Sequence, residues 1–496
     1  MAETVERDDV QGLVVRGYGD LRSARFLLGE VIRPEPARAW LGTLVGRIGS
    51  GTSRGAASAV NVALTAAGLA ALGLPREVLA GFAEPFLEGM TADHRRRALG
   101  DEGDRAPERW QWGGPAGPEV HVLLLVYARD DAALAAVAGG HEEDMVSGGM
   151  RVITALETAA LEEHDHFGFR DGISQPRLAG LGPAAPADSI ATGELLLGYR
   201  NAYGRHTPRP LISPEGDPRA VLPDDREGSG HRDLGRNGTY IVLRQLSQDV
   251  GAFWDFCSDA TRRLDGTADD AARVRLAAKL VGRWPSGASL VLAPDVDHPE
   301  LAEENDFGYH HPDRHGLSCP FGAHVRRANP RDSLDPAPGT ARSTAVNNRH
   351  RLLRRGRQYG AFVPREQLLA AGGSQSWPPG DRGLHFIGLA GNITRQFEFL
   401  QRTWLENPRF HGLYRDPDPL LGGHKPDDRS FTVQAAPIRR RYASLPSFVT
   451  VRGGAYFFLP GMRALRYLAS LPAKDSGGSR SLESIHGTHP AASPGG

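Results

Sequence analysis

One acidic residue of this chain, Asp171, lies in surroundings that suggest chemistry. The segment from Phe167 to Pro176 reads FGFRDGISQP, so that Gly168 precedes the aspartate and Gly172 follows it directly. Glycine permits a positive φ angle and a close approach of the backbone, so Asp171 can lie on a tight loop against a flat ligand. A carboxylate placed there can accept and return a proton. The alternative is an aspartate that only caps its own turn, the usual role of an isolated Asp-Gly pair.

A possible metal ligand, His324, lies in the segment 318–332, which reads SCPFGAHVRRANPRD. An imidazole that binds a metal is neutral, and its second nitrogen is held by a hydrogen-bond acceptor. A single histidine among 18 is by itself more often a surface or hydrogen-bonded core residue. The adjacent pair His310-His311 and the thiol of Cys319 are rival ligands. The pair is more typical of a solvated loop, and Cys319 of a small buried residue.

Four arginines crowd the segment 351–360, which reads RLLRRGRQYG. A guanidinium group is a fixed positive charge that can stabilise a developing anion. Alternation along a strand would place Arg354 and Arg355 on opposite faces. The alternative, an edge strand with solvated arginines, fits Arg355 and Arg357 better than it fits Arg354.

Taken together, these segments resemble the dye-decolourising peroxidases, a family of haem enzymes, and in particular its larger bacterial and fungal members. The residues around Asp171 match the Gly-x-x-Asp-Gly signature of the family, and the segment that contains His324, Asn329 and Arg331 matches its proximal segment. The match extends from Gln11 to about Leu471.

The resemblance implies a haem b site with named contacts. His324 is expected to bind the iron, and Asp171 and Arg354 to lie on the side where hydrogen peroxide binds. Glu398, which lies between two aromatic residues, is expected to accept the hydrogen bond of His324. The other expected contacts with the cofactor are Gly172, Ile173, Ser174, Arg326, Leu384 and Phe386.

The implied activity is the oxidation of dyes, phenols and other one-electron donors by hydrogen peroxide. Aspartate has an ordinary pKa of about 3.9 and stays a base in acid, so dye oxidation is expected to be fastest at acid pH. Trp377, in a loop rich in Gly, Ser and Pro, is the predicted surface relay for bulky donors. Two alternatives are a haem-storage or iron-recovery protein with little turnover and a related module without haem.

Regular elements of the chain must position these residues, and their order indicates an α+β fold. His121–Ala128 and Gly383–Ala390 are apolar strands that each lead into a helix. The resemblance adds that the chain forms two ferredoxin-like halves, each an antiparallel sheet flanked by helices. The predicted boundaries are residues 10–200 and 236–472 for the halves, an irregular connection at 201–235, and a disordered tail at 473–496.

Several local elements are predicted more finely. Gln11–Gly17 is predicted to be a strand, and Ser58–Leu72 a helix. The segment Thr394–Leu405 is predicted to be the helix that presents Glu398.

Composition excludes several classes of function. With 58 basic and 59 acidic residues the net charge is −1, so no basic surface for nucleic acid is expected. The longest apolar runs are too short to span a bilayer, and the first ten residues have no signal-peptide pattern. Two cysteines fit a reducing compartment, and no Cys-x-x-Cys-His motif is present for covalent haem attachment. We therefore expect a cytoplasmic protein, and the sequence leaves its oligomeric state open.

Overall fold

Two successive βαββαβ units build one antiparallel sheet of nine strands. The computed structural model describes residues 3–181, 189–369, 377–423 and 429–472. The elements of the first unit are β1 (Ser23–Val31), α1 (Pro34–Val45), β2 (Ser58–Leu64), β3 (Val122–Ala128), α2 (Asp131–Ser147) and β4 (Met150–Glu157). Its strands lie in the order β4-β1-β3-β2, the order of a ferredoxin-like unit.

The second unit repeats this order and carries the candidate site. Its elements are β5 (Thr239–Gln248), α3 (Val250–Thr261), α4 (Asp270–Val281), β6 (Leu353–Arg354), β7 (Arg357–Tyr359), β8 (Gly383–Ala390), β9 (Val449–Leu459) and α5 (Met462–Ala469). The strands lie in the order β9-β5-β8-β6, and β7 also pairs with β8. The units join where Phe458 of β9 pairs with Leu64 of β2, and the predicted α+β fold of two ferredoxin-like halves is confirmed.

Shorter helices connect these elements. They are Gly12–Val15, Ala66–Ala71, Arg76–Leu79, Glu84–Glu88, Asp93–Leu99, His310–Asp313, His324–Ala328, Ala341–Asn348 and Arg365–Leu369. Between β8 and β9 the chain forms two consecutive turns of the wider π-helix type, Thr394–Glu398 and Leu400–Leu405.

Both faces of the sheet are buried, which explains its apolar strands. One face of each unit packs against helices, and the opposite faces share a second core that includes Phe26, Leu125, Ile241, Ile387 and Phe457. Every residue of β3 is buried. A strand covered on both faces has a continuous apolar sequence rather than an alternating one.

Two local predictions are wrong. Within the predicted strand Gln11–Gly17, residues Gly12–Val15 form a helical turn. Within the predicted helix Ser58–Leu72, the first part is strand β2, and only Ala66–Ala71 is helical. β2 pairs with β3 along its whole length, so pairing with a distant strand prevailed over local propensity.

The connection at 201–235 is irregular apart from two pairs of strand residues, Leu211–Ile212 and Arg232–Asp233, and one 3₁₀ turn, Pro214–Gly216. It is held by the buried guanidinium of Arg209, which bonds Asp233 at 2.6 Å and also bonds Asp225. The boundaries of the halves stay a prediction, and the predicted disordered tail lies outside the described residues. In the described part of the chain, no helix is both long enough and apolar enough to cross a bilayer.

Candidate active site

A large cavity lies between the second unit's sheet and the segments that cover it. It encloses about 1940 Å³ of empty space, part of which opens to solvent. The apolar wall residues that the strands contribute are Leu246, Leu384, Phe386, Val449 and Val451. Leu384 and Phe386 therefore lie in the wall, on the face that strand alternation predicts.

The loop that carries Asp171 closes one side of this cavity. Gly168 and Gly172 have φ angles of +89° and +81°, conformations that favour glycine. The backbone N–H of Asp171 donates to the carbonyl oxygen of Glu163 at 2.9 Å. Its side chain remains 44% exposed, and Gly172, Ile173 and Ser174 line the cavity beside it.

Arg354 faces Asp171 across the cavity mouth. Its Nη1 lies 3.4 Å from Oδ1 of Asp171, and its side chain is 39% exposed. The backbone N–H of Arg354 donates to Oε1 of Gln175 at 3.0 Å, and Nε2 of Gln175 donates to the carbonyl oxygen of Arg354 at 3.3 Å. Gln175 thus ties the strand of the arginine to the loop of the aspartate, and the sequence reasoning missed this residue.

The neighbouring arginines have structural roles. Arg355 donates to the carbonyl oxygens of Leu13 and Val14, and Arg357 donates to that of Tyr18. The alternation that separates Arg354 from Arg355 is observed. The expectation that Arg355 and Arg357 are solvated is wrong, because both guanidinium groups cap backbone carbonyls of the N-terminal segment.

His324 opens the helix His324–Ala328 and lines the cavity with Val325, Ala328 and Asn329. Its Nδ1 lies 3.0 Å from Oδ2 of Asp418, a fully buried carboxylate. Burial alone would lower the pKa of His324, but the negative charge of Asp418 raises it above the ordinary value. This pairing leaves Nε2 as the ring nitrogen that can bind a metal.

Asp418 is itself well supported. Its Oδ1 accepts the backbone N–H groups of Leu420 and Leu421 at 3.0 and 2.8 Å. Burial would raise the pKa of Asp418, yet His324 and Arg327 hold it below the ordinary value. Asp418 therefore stays an anion, and nothing in its local sequence, DPDP, indicates its distant partner.

The structure corrects the expected role of Glu398. Both of its oxygens accept from Nη1 of Arg95, at 3.0 and 2.8 Å, and Oε1 also accepts the hydroxyl of Tyr456 at 3.0 Å. The reason is helical winding: the N–H of Glu398 donates to the carbonyl of Ile393, five residues back. Phe397 and Leu400 line the cavity in this arrangement, and Glu398 is held by Arg95.

The structure also corrects the expected contact of Arg326 with the cofactor. Its side chain is buried and is not part of the cavity wall. Nη1 donates to Oδ2 of Asp313 at 2.8 Å and to the carbonyl oxygen of Cys319 at 2.6 Å. The guanidinium also lies over the ring of Tyr309. Arg326 thus holds Asp313 and Cys319, which precede His324, from a position outside the cavity wall.

No family model matches the chain. A dye-decolorizing peroxidase of Mycetinis scorodonius is 30% identical over 435 residues, which are 84% of this chain and 77% of the relative. The multifunctional dye peroxidase of an Amycolatopsis species is 32% identical over 315 residues, 61% of each chain.

The chain belongs to the dye-decolorizing peroxidase family. A solved dye-decolorizing peroxidase in complex with 2,6-dimethoxyphenol is 26% identical and superimposes with a TM-score of 0.70, covering 94% of this chain and 100% of that one. The family predicted from the sequence is therefore confirmed.

Dye-decolorizing peroxidases are haem enzymes, and the cavity of this member fits that group. Haem is a flat apolar ring with two carboxylates, and it needs one axial base. The cavity offers a hydrogen-bonded imidazole at His324 and apolar walls. Cationic side chains that can meet carboxylates also line it, namely Arg283, Arg351 and Arg354. Burial lowers the pKa of Arg283 to about 10, so it stays charged at neutral pH.

Proposed function

We propose that this protein is a haem b peroxidase that reduces hydrogen peroxide and oxidises dyes, phenols and other one-electron donors. The observation that carries the proposal is the shared cavity, in which the Asp171–Arg354 pair and the Asp418-bonded imidazole of His324, which would hold the iron, both line the wall. The solved relative in complex with 2,6-dimethoxyphenol supports phenols as donors.

Each residue of the proposed site has a separate task. His324 would hold the iron through Nε2, and Asp418 accepts the hydrogen bond from Nδ1, which makes the imidazole a stronger donor. When bound, haem supplies the redox chemistry that splits the O–O bond. Asp171 would accept a proton from one oxygen of peroxide and return it to the other, which would leave as water. Arg354 stabilises the negative charge that develops on the way.

The distal pair is tested by Asp171→Asn, which keeps the shape but removes the base, and by Arg354→Leu, which removes the charge. Arg177→Leu is the control, because Arg177 is exposed and follows the same loop without lining the cavity. Loss of a general base costs about 10²–10⁴-fold, so Asp171→Asn should keep haem and react with peroxide that much more slowly.

The visible spectrum before and after one equivalent of peroxide decides the function. A protein that binds haem but shows neither a spectral change with peroxide nor turnover of a donor would be a haem-storage protein. A protein without a Soret band would contradict the proposal altogether. Unchanged rates in both distal variants would show that other residues activate peroxide.

We also propose that the protein works in the cytoplasm. The support is that Cys257 and Cys319 are both buried free thiols, as expected in a reducing compartment. Separation of cell fractions with an antibody against the protein tests this location.

A further inference from the structure

Asp165 is a second carboxyl group on the loop that carries Asp171, and both residues line the cavity. Its Oδ1 accepts the backbone N–H of Phe169 at 2.9 Å. The backbone N–H of Asp165 donates to the carbonyl oxygen of Phe169 at 2.8 Å, and that of Gly168 donates to the carbonyl oxygen of Asp165 at 2.9 Å. Asp165 thus closes a tight turn and is held in the cavity wall.

The surroundings of this carboxyl group are largely aromatic. The rings of Phe167 and Phe169, which also line the cavity, pack against Phe253 and Trp254 of α3. The pKa of Asp165 is raised to about 7, because burial and the charge of Asp171 raise it by more than the backbone N–H of Phe169 lowers it. Asp165 is therefore half protonated near neutral pH.

Several charged groups lie on the segments around Asp165. His164, Arg170 and Asp171 belong to its own loop, Arg283 and Arg354 line the same cavity from other segments, and Arg273 of α4 lies over the ring of Trp254. Among the side-chain charges, Asp171 acts on Asp165 most strongly. The negative charge of Asp171 therefore favours the protonated form of Asp165.

We propose that Asp165 is the acid that supplies protons to the cavity. Asp171 is the base that accepts the proton of peroxide. This inference rests on the proposed peroxidase function. Two carboxyl groups whose environments differ are a recurring way to separate an acid from a base.

The overall reaction shows why a proton source is needed. Reduction of one hydrogen peroxide to two waters consumes two electrons, taken from two one-electron donors, and two protons. The proton that Asp171 moves between the peroxide oxygens cancels in this balance. The two protons consumed must enter from solvent or from the donors. Asp165 carries a proton at mildly acid pH, releases it into the cavity and regains one from water.

The test uses two electron donors, only one of which releases a proton when it is oxidised. Ferrocyanide gives an electron and no proton, whereas 2,6-dimethoxyphenol loses its own hydroxyl proton on oxidation. Asp165→Asn keeps an oxygen for the N–H of Phe169 but cannot release a proton. Asp130→Asn is the matched control, because Asp130 caps α2 through the same kind of bond, to the N–H of Ala133 at 2.9 Å, on the surface.

Stopped-flow spectra at about pH 6 should show that Asp165→Asn reacts with peroxide almost as the wild type does. Its return to the resting state with ferrocyanide should be about 10²-fold slower, the size of a lost general acid. The same step with 2,6-dimethoxyphenol should slow much less. The wild-type rate with ferrocyanide should fall as pH rises through about 7, and the variant should lack this dependence.

The protein without haem gives an independent readout. Infrared spectra should show a protonated carboxyl band that disappears with a midpoint of about 7 in the wild type and is absent from Asp165→Asn. No such band in the wild type would overturn the proposal, even if the variant failed to fold. Equal slowing with both donors would also overturn it and leave Asp165 as a turn anchor. A wild type that does not react with peroxide would instead contradict the proposed function.

Discussion

One buried anion, Asp418, holds the imidazole of His324 and, under the proposed function, would set its strength as an iron donor. The negative charge of this anion and the hydrogen bond to Nδ1 favour electron donation by the imidazole toward a bound metal. Glu398 is the other carboxylate that the sequence placed near His324, but its hydrogen-bond partners are Arg95 and Tyr456. Substituting these two acids one at a time therefore separates an effect on catalysis from an effect on stability.

Asp418→Asn should retain haem, because the amide oxygen can still accept from Nδ1, but the charge is lost. We expect the iron(III)/iron(II) reduction potential to rise and the reaction with peroxide to slow by about 10–100-fold. Spectroelectrochemical titration and stopped-flow rates measure both quantities. An unchanged potential would mean that the charge of Asp418 does not act on the metal.

Glu398→Gln should leave the potential and the peroxide rate unchanged. Arg95 and Glu398 have side-chain exposures of 8% and 12%, and Arg95 keeps Glu88 at 2.7 Å, so loss of the Glu398 charge should cost about 1–3 kcal/mol. We therefore expect a lower melting temperature by calorimetry. A shifted iron(III)/iron(II) reduction potential in this variant would show that Glu398 does act on the haem site.

At the scale of elements, the short segment 377–382 leads into strand β8, which forms part of the cavity wall. Trp377 lies in this segment, and its indole N–H donates to Oδ1 of Asp255 on α3 at 2.9 Å. The ring packs close to Gly251 and is partly buried, yet it lines a groove of the surface. The tryptophan is thus anchored on a helix, and its predicted role as an electron relay stays a prediction.

Trp377→Phe should slow the oxidation of a bulky dye and leave both the peroxide step and the oxidation of a small phenol unchanged. The reason is that phenylalanine is much harder to oxidise than tryptophan. Asp255→Asn is the control, because it alters the hydrogen bond and keeps the indole. Steady-state rates with both donors provide the measurement. If dye and phenol rates stay equal to those of the wild type, Trp377 is not on the electron route.

At the scale of the whole molecule, acid favours the proposed chemistry but disfavours the fold. Burial lowers the pKa values of His166, His385 and His411 to about 4. The unfolded chain binds protons at these residues below about pH 6.5, and the folded chain does not. Stability is therefore lost as pH falls from about 6.5 to 4. Asp165 has the opposite effect, because its raised pKa makes the folded state bind a proton between about 7 and 4.

Calorimetry between pH 8 and pH 4 should show stability falling below about pH 6.5. Each buried histidine contributes a slope of up to about 1.4 kcal/mol per pH unit, and Asp165 offsets one of the three. His385→Gln should reduce the slope, because Gln can still bond to the carbonyl oxygen of Glu157, which lies 3.0 Å from Nε2 of His385. A slope equal to that of the wild type would mean that His385 is protonated in the folded state.

The sequence by itself determined what short segments can encode. The turn around Asp171 needs glycine at positive φ, and the apolar run of β8 dictates a buried strand with Leu384 and Phe386 on one face. The family resemblance then supplied the order of the two halves. These features depend on local propensity and on the spacing of residues along one element, so they are visible in one dimension.

Only the tertiary structure decided which distant groups meet. Asp418 reaches His324, and Gln175 reaches Arg354, from segments with no sequence signal for the contact. Because Thr394–Glu398 winds as a π-helix, the side chain of Glu398 pairs with Arg95. Its place in the sequence between aromatic residues had suggested His324 as the partner. The pairing of β2 with β3 likewise prevailed over helical propensity. In each case the partner of a buried polar or backbone group is fixed by the packing of the whole chain, which must satisfy every such group at once.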